Sequence, residues 1–175
     1  MYNPLYSRPY AHLIKVFEDI LGEISKDLHI RTALAEDVMM LDVRDEQKDT
    51  FNLKDPDTII RTHAWIMQLT PMNYSIFHKD ELLLMLTIMP LMSGSAEISF
   101  LVDKNFVNAS KLVKMQMIKA FNKGLYELPF RRIEAKVKDT FEVGRTFVEK
   151  LGMSQEGVLR KFGPENDYIL YSLIK

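Results

Sequence analysis

The spacing of apolar side chains in the first part of the chain predicts an amphipathic helix. Apolar residues recur there at intervals of three and four, which places them on one stripe of a helix over about residues 10–28. The stripe consists of Leu13, Ile14, Phe17, Ile20, Leu21, Ile24 and Leu28. So continuous an apolar face is expected to pack on the rest of the molecule or on a partner.

A strand and two further helices are expected next. Residues 29–33 fit a short strand, and the acidic pair at positions 36 and 37 opens a helical stretch through Leu41. Asp55 followed by Pro56 is typical of a helix N-cap and first helical residue, and the apolar stripe after it ends at Pro71.

The middle of the chain changes to the pattern of successive antiparallel strands. Three apolar runs, over 74–78, 82–89 and 96–102, are separated by short polar turns, one of them around Gly94. Runs of this length that are joined by tight turns favour neighbouring strands of one sheet.

Beyond residue 103 the pattern alternates between helix and strand. A helical stripe begins at Leu112, and Gly124 is expected to cap its C-terminal end. Residues 132–138 alternate apolar and charged side chains, as in a strand with one solvated face. A helix over 143–151 and a closing hairpin with strands over 158–162 and 168–174 complete the chain. This order predicts an α+β fold with helices packed on a mixed sheet.

Composition limits the classes of function. The chain has 175 residues, 47% of them hydrophobic, a size and composition typical of one globular domain. It has no cysteine, which excludes disulfides, zinc-thiolate sites and a cysteine nucleophile. The net charge is -1, so no general nucleic-acid surface is expected. The four histidines lack carboxylates at metal-ligand spacing, so no metal site is expected either.

Neither a membrane partner nor secretion is expected. The longest apolar stretch, from Leu82 to Met92, is well short of the about 20 residues that a membrane-spanning helix needs. The N-terminal residues also lack the basic region and apolar core of a secretory signal. We therefore expect a cytoplasmic protein.

Two segments are candidates for chemistry. The segment from Asp103 to Lys111 leads from a strand into a helix, and the unpaired N–H groups of a helix start attract phosphate. An ordinary Asn and Ser helix cap explains that segment equally well. Glu97 lies inside an apolar strand, where it could serve as a general base, although strand alternation also allows it to point into water.

The last third of the chain carries its most specific motif. The run FVEKLGMSQEGVLR at 147–160 precedes a strand that begins at Tyr168. This ending resembles that of the GNAT superfamily of acetyl-CoA-dependent N-acetyltransferases, and is most similar to the branch that acts on ribosomal-protein N-termini. Residues 29–37 and 95–103 resemble the family's opening and central segments. The resemblance covers residues 29–175 and leaves 1–28 as an extra N-terminal helical segment of a single domain.

The resemblance implies a fold, an activity and a set of site residues. The fold is a strongly twisted mixed sheet of six or seven strands with helices on both faces, and the activity moves an acetyl group from acetyl-CoA to an amine of a protein N-terminus or a small molecule. It implies Glu97 as the base, and Tyr168 or Tyr171 as the acid for the leaving thiolate. The residues that it implies for binding acetyl-CoA are Leu101, Val102, Asn108, Ala109, Ser110 and Lys111.

Two departures from the family's pattern support an alternative function. The family's loop Gln/Arg-x-x-Gly-x-Gly/Ala, which holds the coenzyme A pyrophosphate, has Asn108 and Ser110 at its two glycine positions here. Phe141 stands near the family's Asn that contacts the pantetheine arm. Small GNAT-like proteins of tailed phages share this weakened loop. The alternative is therefore a catalytically inactive GNAT-fold module for binding or virion assembly, located in the host cytoplasm or the virion as a homo-oligomer or with an assembly partner.

Overall fold

The computed structural model describes residues 11–34, 36–50, 72–163 and 165–175. Its helices are α1 (Ala11–Ile24), α2 (Asp37–Met40), α3 (Asp45–Thr50), α4 (Lys104–Asn108), α5 (Lys111–Glu127) and α6 (Glu142–Lys150). Its strands are β1 (Leu28–Thr32), β2 (Met72–His78), β3 (Glu81–Pro90), β4 (Ser95–Val102), β5 (Arg132–Lys138), β6 (Ser154–Leu159) and β7 (Tyr168–Ile174). The helix that we predict from Asp55 to Pro71 lies outside the described residues.

The strands form a single mixed sheet in the order β1-β2-β3-β4-β5-β7-β6. Every neighbouring pair is antiparallel except β4 and β5, which run parallel. The predicted α+β fold with six or seven strands is therefore confirmed, and the number of strands is seven. Within the described ranges, no helix combines the length and apolar character needed to cross a bilayer.

Buried apolar side chains lie on both faces of the sheet. The larger cluster joins α1 and α5 to one face and includes Phe17, Ile98 and Phe121. The smaller cluster lies on the opposite face and includes Val38 of α2 and Leu101 of β4. Because β4 contributes alternate residues to the two clusters, both faces of this central strand are covered.

The predicted first helix is four residues too long at its C-terminal end. The last turn of α1 is closed by the Ser25 N–H, which donates to the Leu21 carbonyl oxygen, and the chain then turns. Leu28 belongs to β1, where it pairs with His78 and is buried. The error has a physical cause: Leu28 is apolar in either structure, so its spacing alone does not distinguish the last helical turn from the first strand residue. The α1 stripe packs in the larger cluster together with the sheet.

The predicted end of the helix after β4 is also wrong, because Gly124 lies inside α5 and does not cap it. The helix continues to Glu127 and ends before Leu128, whose extended backbone precedes Pro129. Gly124 is fully packed against α1, since a Cβ at this position would overlap the ring of Phe17. The glycine therefore provides room for helix packing and does not provide a turn.

Other boundaries differ by a few residues. Strand 132–138 is confirmed in full, whereas the predicted strand over 29–33 begins and ends one residue earlier. In the closing hairpin β6 runs over Ser154–Leu159 instead of 158–162. This strand lies at the sheet edge, is largely exposed and contains an irregularity at Gly157, so it has little of the apolar alternation on which the prediction depended. The helix expected to open at Glu36 is a single turn, α2, followed by the separate α3.

Candidate functional site

The two parallel strands at the centre of the sheet separate after three residue pairs. Ser95, Ala96 and Glu97 of β4 pair with the first three residues of β5. β4 then continues to Val102 and β5 to Lys138, and the register between the two strands goes no further. A cleft therefore opens in the sheet immediately beyond Glu97.

The cleft contains about 790 Å³ of non-atom space, part of which is open to solvent. Its walls are the separated halves of β4 and β5, the first turns of α6 and two side chains from the segment around α3. The lining residues with polar or charged side chains are Arg44, Gln47, Ser99, Lys136 and Lys138, and the rest is mainly apolar. A mainly apolar lining with a few cationic groups is suited to a ligand that has apolar parts and negative charge.

Aromatic rings form part of the lining of the cleft. Phe147 contacts the ring of Phe100 edge-on at a centroid distance of 5.1 Å, and the ring of Phe106 at 6.3 Å. Phe141 also lines the cleft and packs on Gly144, where a Cβ would lie 2.5 Å from its Cε1. Phe106 and Phe141 thus belong to the lining of the cleft.

The cleft-facing edge of β4 is partly occupied by a side-chain amide. The Gln47 Nε2 donates to the Phe100 carbonyl oxygen at 2.7 Å, and the Val102 N–H donates to Gln47 Oε1 at 3.1 Å. Odd-numbered residues of β4 bond to β3, as shown at the strand end by the Asp103 N–H and the Leu83 carbonyl. The backbone groups of the even-numbered residues therefore point toward β5 and into the cleft.

The segment that joins β4 to α5 ends in a capped helix start. Ser110 is the N-cap of α5, and its hydroxyl accepts a hydrogen bond from the Val113 N–H at 3.3 Å. Ala109 and Ser110 both have φ of -57°, an ordinary value for any residue. Glycine is therefore not required at Ser110 for backbone reasons, and the N–H groups of Lys111 and Leu112 begin the helix without intrahelical partners.

A second depression lies between α5 and α6 and adjoins the cleft. The two depressions share Phe106, Val143 and Phe147 in their linings. Its charged lining residues are Lys114 of α5 and Glu142 and Lys150 of α6, so the cations outnumber the single anion. The cleft and the groove together provide an extended path from the point at which the strands separate to the side of α5.

Glu97 is the last residue of β4 that pairs with β5, and it lies where the cleft begins. Its carboxylate accepts a hydrogen bond from Lys136 Nζ at 2.6 Å, and the side chain is 20% exposed. It therefore faces a polar surface of the sheet and contacts a cation of the neighbouring strand, while Ile98 and Ser99 directly after it line the cleft.

The polar surface beside Glu97 continues as a network of charged side chains. Arg132 donates to Glu134 and, with both terminal nitrogens, to Glu156. Hydrogen bonds from Arg132 and from the Ser172 hydroxyl lower the pKa of Glu156 to about 2. This network holds β5, β6 and β7 together on the face that carries Glu97.

The two predicted acid residues lie outside the lining of the cleft. Tyr168 is buried on the polar face of β7, where its ring contacts Phe162 at a centroid distance of 5.2 Å. Tyr171 is fully buried on the other face, and its hydroxyl donates to Glu149 at 3.0 Å and accepts from Arg145 at 3.2 Å. The hydrogen bond to Tyr171 raises the pKa of Arg145.

The predicted cofactor residues fall into two groups. Val102 lines the cleft, whereas Leu101 points to the opposite face and belongs to the smaller apolar cluster. Asn108, Ala109, Ser110 and Lys111 lie together at the start of α5. Of the predicted cofactor residues Val102 is among the lining residues of the cleft, whereas the group at the start of α5 and the predicted base Glu97 are not.

Arg44 and Gln47 are cleft residues that sequence reasoning missed. Both come from a polar stretch with no apolar period, and Gln47 reaches a strand edge that is 53 residues away along the chain. Nothing in the local sequence indicates such a contact. In the described ranges no cluster of three or more His, Asp or Glu side chains is arranged to hold a metal ion.

Comparison with solved structures identifies the fold. No protein-family model and no curated sequence matches this chain. A GNAT-family acetyltransferase from Bacillus anthracis superposes with a TM-score of 0.66 and 16% identity, over 86% of this chain and 96% of that one. RimL, a ribosomal L7/L12 alpha-N-protein acetyltransferase solved with coenzyme A, gives 0.63 and 15%, over 86% and 96%.

A third neighbour has a different kind of acceptor in its name. Spermidine N-acetyltransferase from Vibrio cholerae gives a TM-score of 0.60 and 12% identity, over 86% of this chain and 95% of that one. This chain aligns with nearly the whole length of each of these three neighbours. Because the sequence identities are low, the similarity is one of fold. This chain has the fold of the GNAT acetyltransferases.

Proposed function

We propose that the protein is an acetyl-CoA-dependent N-acetyltransferase that acts on an amine of a protein or of a small molecule. The observation that carries the proposal is the separation of β4 from β5 immediately after Glu97. It leaves a cleft that is lined by strand edges and adjoins a groove beside α5. The likeness to RimL and to spermidine N-acetyltransferase supports the same kind of reaction.

Each part of acetyl-CoA would have its own place along the cleft and the adjoining groove. The extended arm with its amides would lie between β4 and β5, where backbone groups of β4 point into the space. The phosphates would lie at the start of α5, where the N–H groups of Lys111 and Leu112 and the Lys111 side chain provide donors and positive charge. Lys114 and Lys150 line the adjoining groove and extend that positive charge. The amide of Gln47 lies in the path of the arm.

The chemistry needs one proton removed and one delivered. When bound, acetyl-CoA supplies the acetyl thioester; the amine nitrogen forms a bond to the carbonyl carbon as the carbon–sulfur bond breaks. Glu97, at the point where the strands separate, is the proposed acceptor of the amine proton, directly or through a water. The N–H of Phe100 is the first even-numbered N–H of β4 beyond the pairing with β5, and it would donate to the carbonyl oxygen as negative charge develops.

The proton for the leaving thiolate has two candidate sources. Tyr168 and Tyr171 are the predicted donors, and neither lines the cleft. Tyr171 already donates to Glu149, so a role in the reaction would require that hydrogen bond to break. Water reaching the open side of the cleft could protonate the thiolate without either tyrosine.

Release of free coenzyme A tests the proposal directly. The purified chain is incubated with acetyl-CoA and an acceptor, and the new thiol is measured with a thiol reagent; because the chain has no cysteine, the protein gives no background. One set of acceptors is peptides with a free N-terminus and another is polyamines. Thiol release that depends on acceptor, and that falls strongly in Glu97→Gln, supports the proposal. Absence of release with every acceptor from a folded protein that binds no acetyl-CoA contradicts it.

A non-enzymatic binding or assembly module is the second candidate. It is favoured by the Gln47 contact on β4, the ion pair that engages Glu97, and the position of both tyrosines outside the cleft. This candidate predicts no acetyl transfer and a larger particle, alone or with a partner, in light scattering. A monomer that transfers acetyl groups would exclude it.

A further inference from the structure

The edge of β4 in the cleft is a place for an extended chain that carries amides. Strand edges pair with any backbone-like chain whose N–H and C=O groups match their spacing. The even-numbered residues of β4 present such groups toward β5, and the pairing with β5 ends at Glu97. Beyond that point the carbonyl of Ile98 and the N–H and carbonyl groups of Phe100 and Val102 face the cleft.

The side chain of Gln47 satisfies two of these groups in the way that a ligand amide would. A primary amide has the same donor and acceptor as a peptide group, and Gln47 uses the donor on the Phe100 carbonyl oxygen and the acceptor on the Val102 N–H. The side chain is 6% exposed, so the pair is shielded from water. One carbonyl and one N–H two residues apart on a strand edge are the groups that pair with a single residue of a neighbouring strand.

Gln47 belongs to a segment that contacts both walls of the cleft. We define residues 42–47 as the clasp. Its first part is anchored beside the end of β4, where the Asp42 N–H donates to Asp103 Oδ2 at 2.7 Å and the Lys104 N–H donates to the Asp42 carbonyl at 2.9 Å. On the other wall, the Arg44 guanidinium lies over the Phe141 ring, 5.5 Å from its centroid.

We propose that Gln47 occupies the place of an extended amide-bearing ligand on β4, and that a ligand such as the pantetheine arm of an acyl-CoA binds by displacing it. The inference rests on the proposed function for the identity of the ligand. It adds to that function a step in which the clasp releases β4 before the cleft can be filled. The free energy needed to break the two Gln47 hydrogen bonds then reduces the net binding free energy, and so weakens the apparent affinity for the ligand.

The test compares the wild type with Gln47→Met, which keeps the length of the side chain and removes both hydrogen bonds. Gln47→Glu is the second variant, because its carboxylate can accept from the Val102 N–H but cannot donate to the Phe100 carbonyl. Lys48→Ala is the matched control, since the Lys48 ammonium pairs with Asp45 and not with β4. Each protein is titrated with pantetheine, which carries two amides and no phosphate, and separately with coenzyme A.

Two readouts follow each titration by nuclear magnetic resonance. In the unliganded Met variant we expect hydrogen exchange of the Val102 N–H to become about tenfold faster or more, because its acceptor is gone. We expect pantetheine affinity to rise about ten- to thirtyfold in Gln47→Met and less in Gln47→Glu, since two ordinary hydrogen bonds no longer compete. Lys48→Ala should match the wild type. In the wild type, saturating ligand should shift the Gln47 side-chain amide signals to those of an exposed amide.

The outcomes separate this inference from the proposed function. Equal pantetheine affinity in wild type and Gln47→Met, unchanged Val102 exchange, or no pantetheine binding to any variant at millimolar concentration would overturn the displacement of Gln47. Pantetheine binding that strengthens in Gln47→Met but is not improved by the nucleotide of coenzyme A supports the displacement. That same result contradicts the phosphate site at α5 in the proposed function.

Discussion

Two helical glycines are expected to respond in opposite directions to the same substitution. Gly124 lies in α5 against α1, where a Cβ would overlap Cε1 of Phe17 and lie 2.8 Å from its Cδ1 and Cζ. Gly22 lies in α1, and a Cβ there would meet nothing within 4 Å. Both substitutions to alanine gain the same helix propensity, so the difference between them isolates the packing of α1 on α5.

The magnitude follows from the distance that the Phe17 ring would have to move. Carbon atoms in contact lie about 3.5 to 4 Å apart, so the ring must retreat by roughly 1 Å. Phe17 is 1% exposed and its ring centroid is 6.3 Å from that of Tyr74, so the surrounding core must move with it. Overpacking of this kind costs about 1 to 3 kcal/mol, against a gain of about 1 kcal/mol when alanine replaces glycine in a helix.

Thermal unfolding of the two variants measures the effect. For Gly124→Ala we expect a net loss of up to about 2 kcal/mol, which for a chain of this size lowers Tm by up to about 8 °C. For Gly22→Ala we expect a gain of about 0.5 to 1 kcal/mol and a small rise in Tm. A Phe17→Leu background should reduce the penalty of Gly124→Ala, because the shorter side chain leaves room for the new methyl group. If Gly124→Ala raises Tm as much as Gly22→Ala does, the packing of α1 on α5 is wrong.

Three further predictions concern the site and its support. Glu97→Gln is expected to lower kcat for acetyl transfer about a hundredfold or more while coenzyme A affinity, measured by calorimetry, stays the same; an equal loss of affinity would contradict its role as a base. Lys111→Glu should weaken coenzyme A binding several-fold, less so at high salt, whereas Lys119→Glu on the same helix should not; equal effects would argue against phosphate at the helix start. Burial disfavours the charged form of Asp37, but hydrogen bonds from Arg31, a serine hydroxyl and a backbone N–H outweigh burial and lower the pKa of Asp37. The carboxylate therefore contributes its full stabilisation above the unfolded-state pKa of 3.8, and this stabilisation is lost as pH falls through the lower folded-state pKa. Denaturant unfolding should therefore show Asp37→Asn about 2 to 3 kcal/mol less stable than wild type near pH 7, with the difference shrinking toward pH 2, and a constant difference would refute the charge-based explanation.

Residues whose structure depends on local spacing were predictable from the sequence. The alternation of apolar and charged residues in β5 places the whole strand, because each apolar residue faces the larger cluster and each charged residue faces the polar surface. The stripe of α1 and the apolar runs of β3 and β4 are equally local signals. These elements supply three of the seven strands, and the order of strands and helices predicted an α+β fold, whereas the six- or seven-stranded sheet was implied by the family resemblance.

Features that depend on a distant neighbour could not be predicted in this way. Gly124 resembles a helix cap in sequence, and only the ring of Phe17 on another helix explains why it is inside α5. Leu28 is apolar at the boundary between α1 and β1, and its pairing with His78 assigns it to the strand. In both cases the local pattern is compatible with two structures and tertiary contact selects one.

Some candidate site residues could be singled out from the sequence, and others could not. Glu97 and the helix start at Ser110 stand out in the sequence, as an acid in an apolar strand and as a polar cap. The contact of Gln47 with β4 joins segments that are far apart in the chain and has no local signal. Tyr168 and Tyr171 could not be assigned from local sequence either. Residues three apart on a strand point to opposite faces of the sheet, and the register of β7 against β5 decides what each side chain contacts.

Mapping coenzyme A on the wild-type protein by backbone nuclear magnetic resonance tests most directly whether the opening between β4 and β5 is a cofactor site. We predict that the largest shifts occur at the amides of Phe100 and Val102 on β4 and of Lys111 and Leu112 at the start of α5. Amides of β1 and β2, on the far side of the sheet, should change little. Shifts confined to other surfaces, or no shifts at millimolar coenzyme A, would contradict a cofactor site between the separated strands.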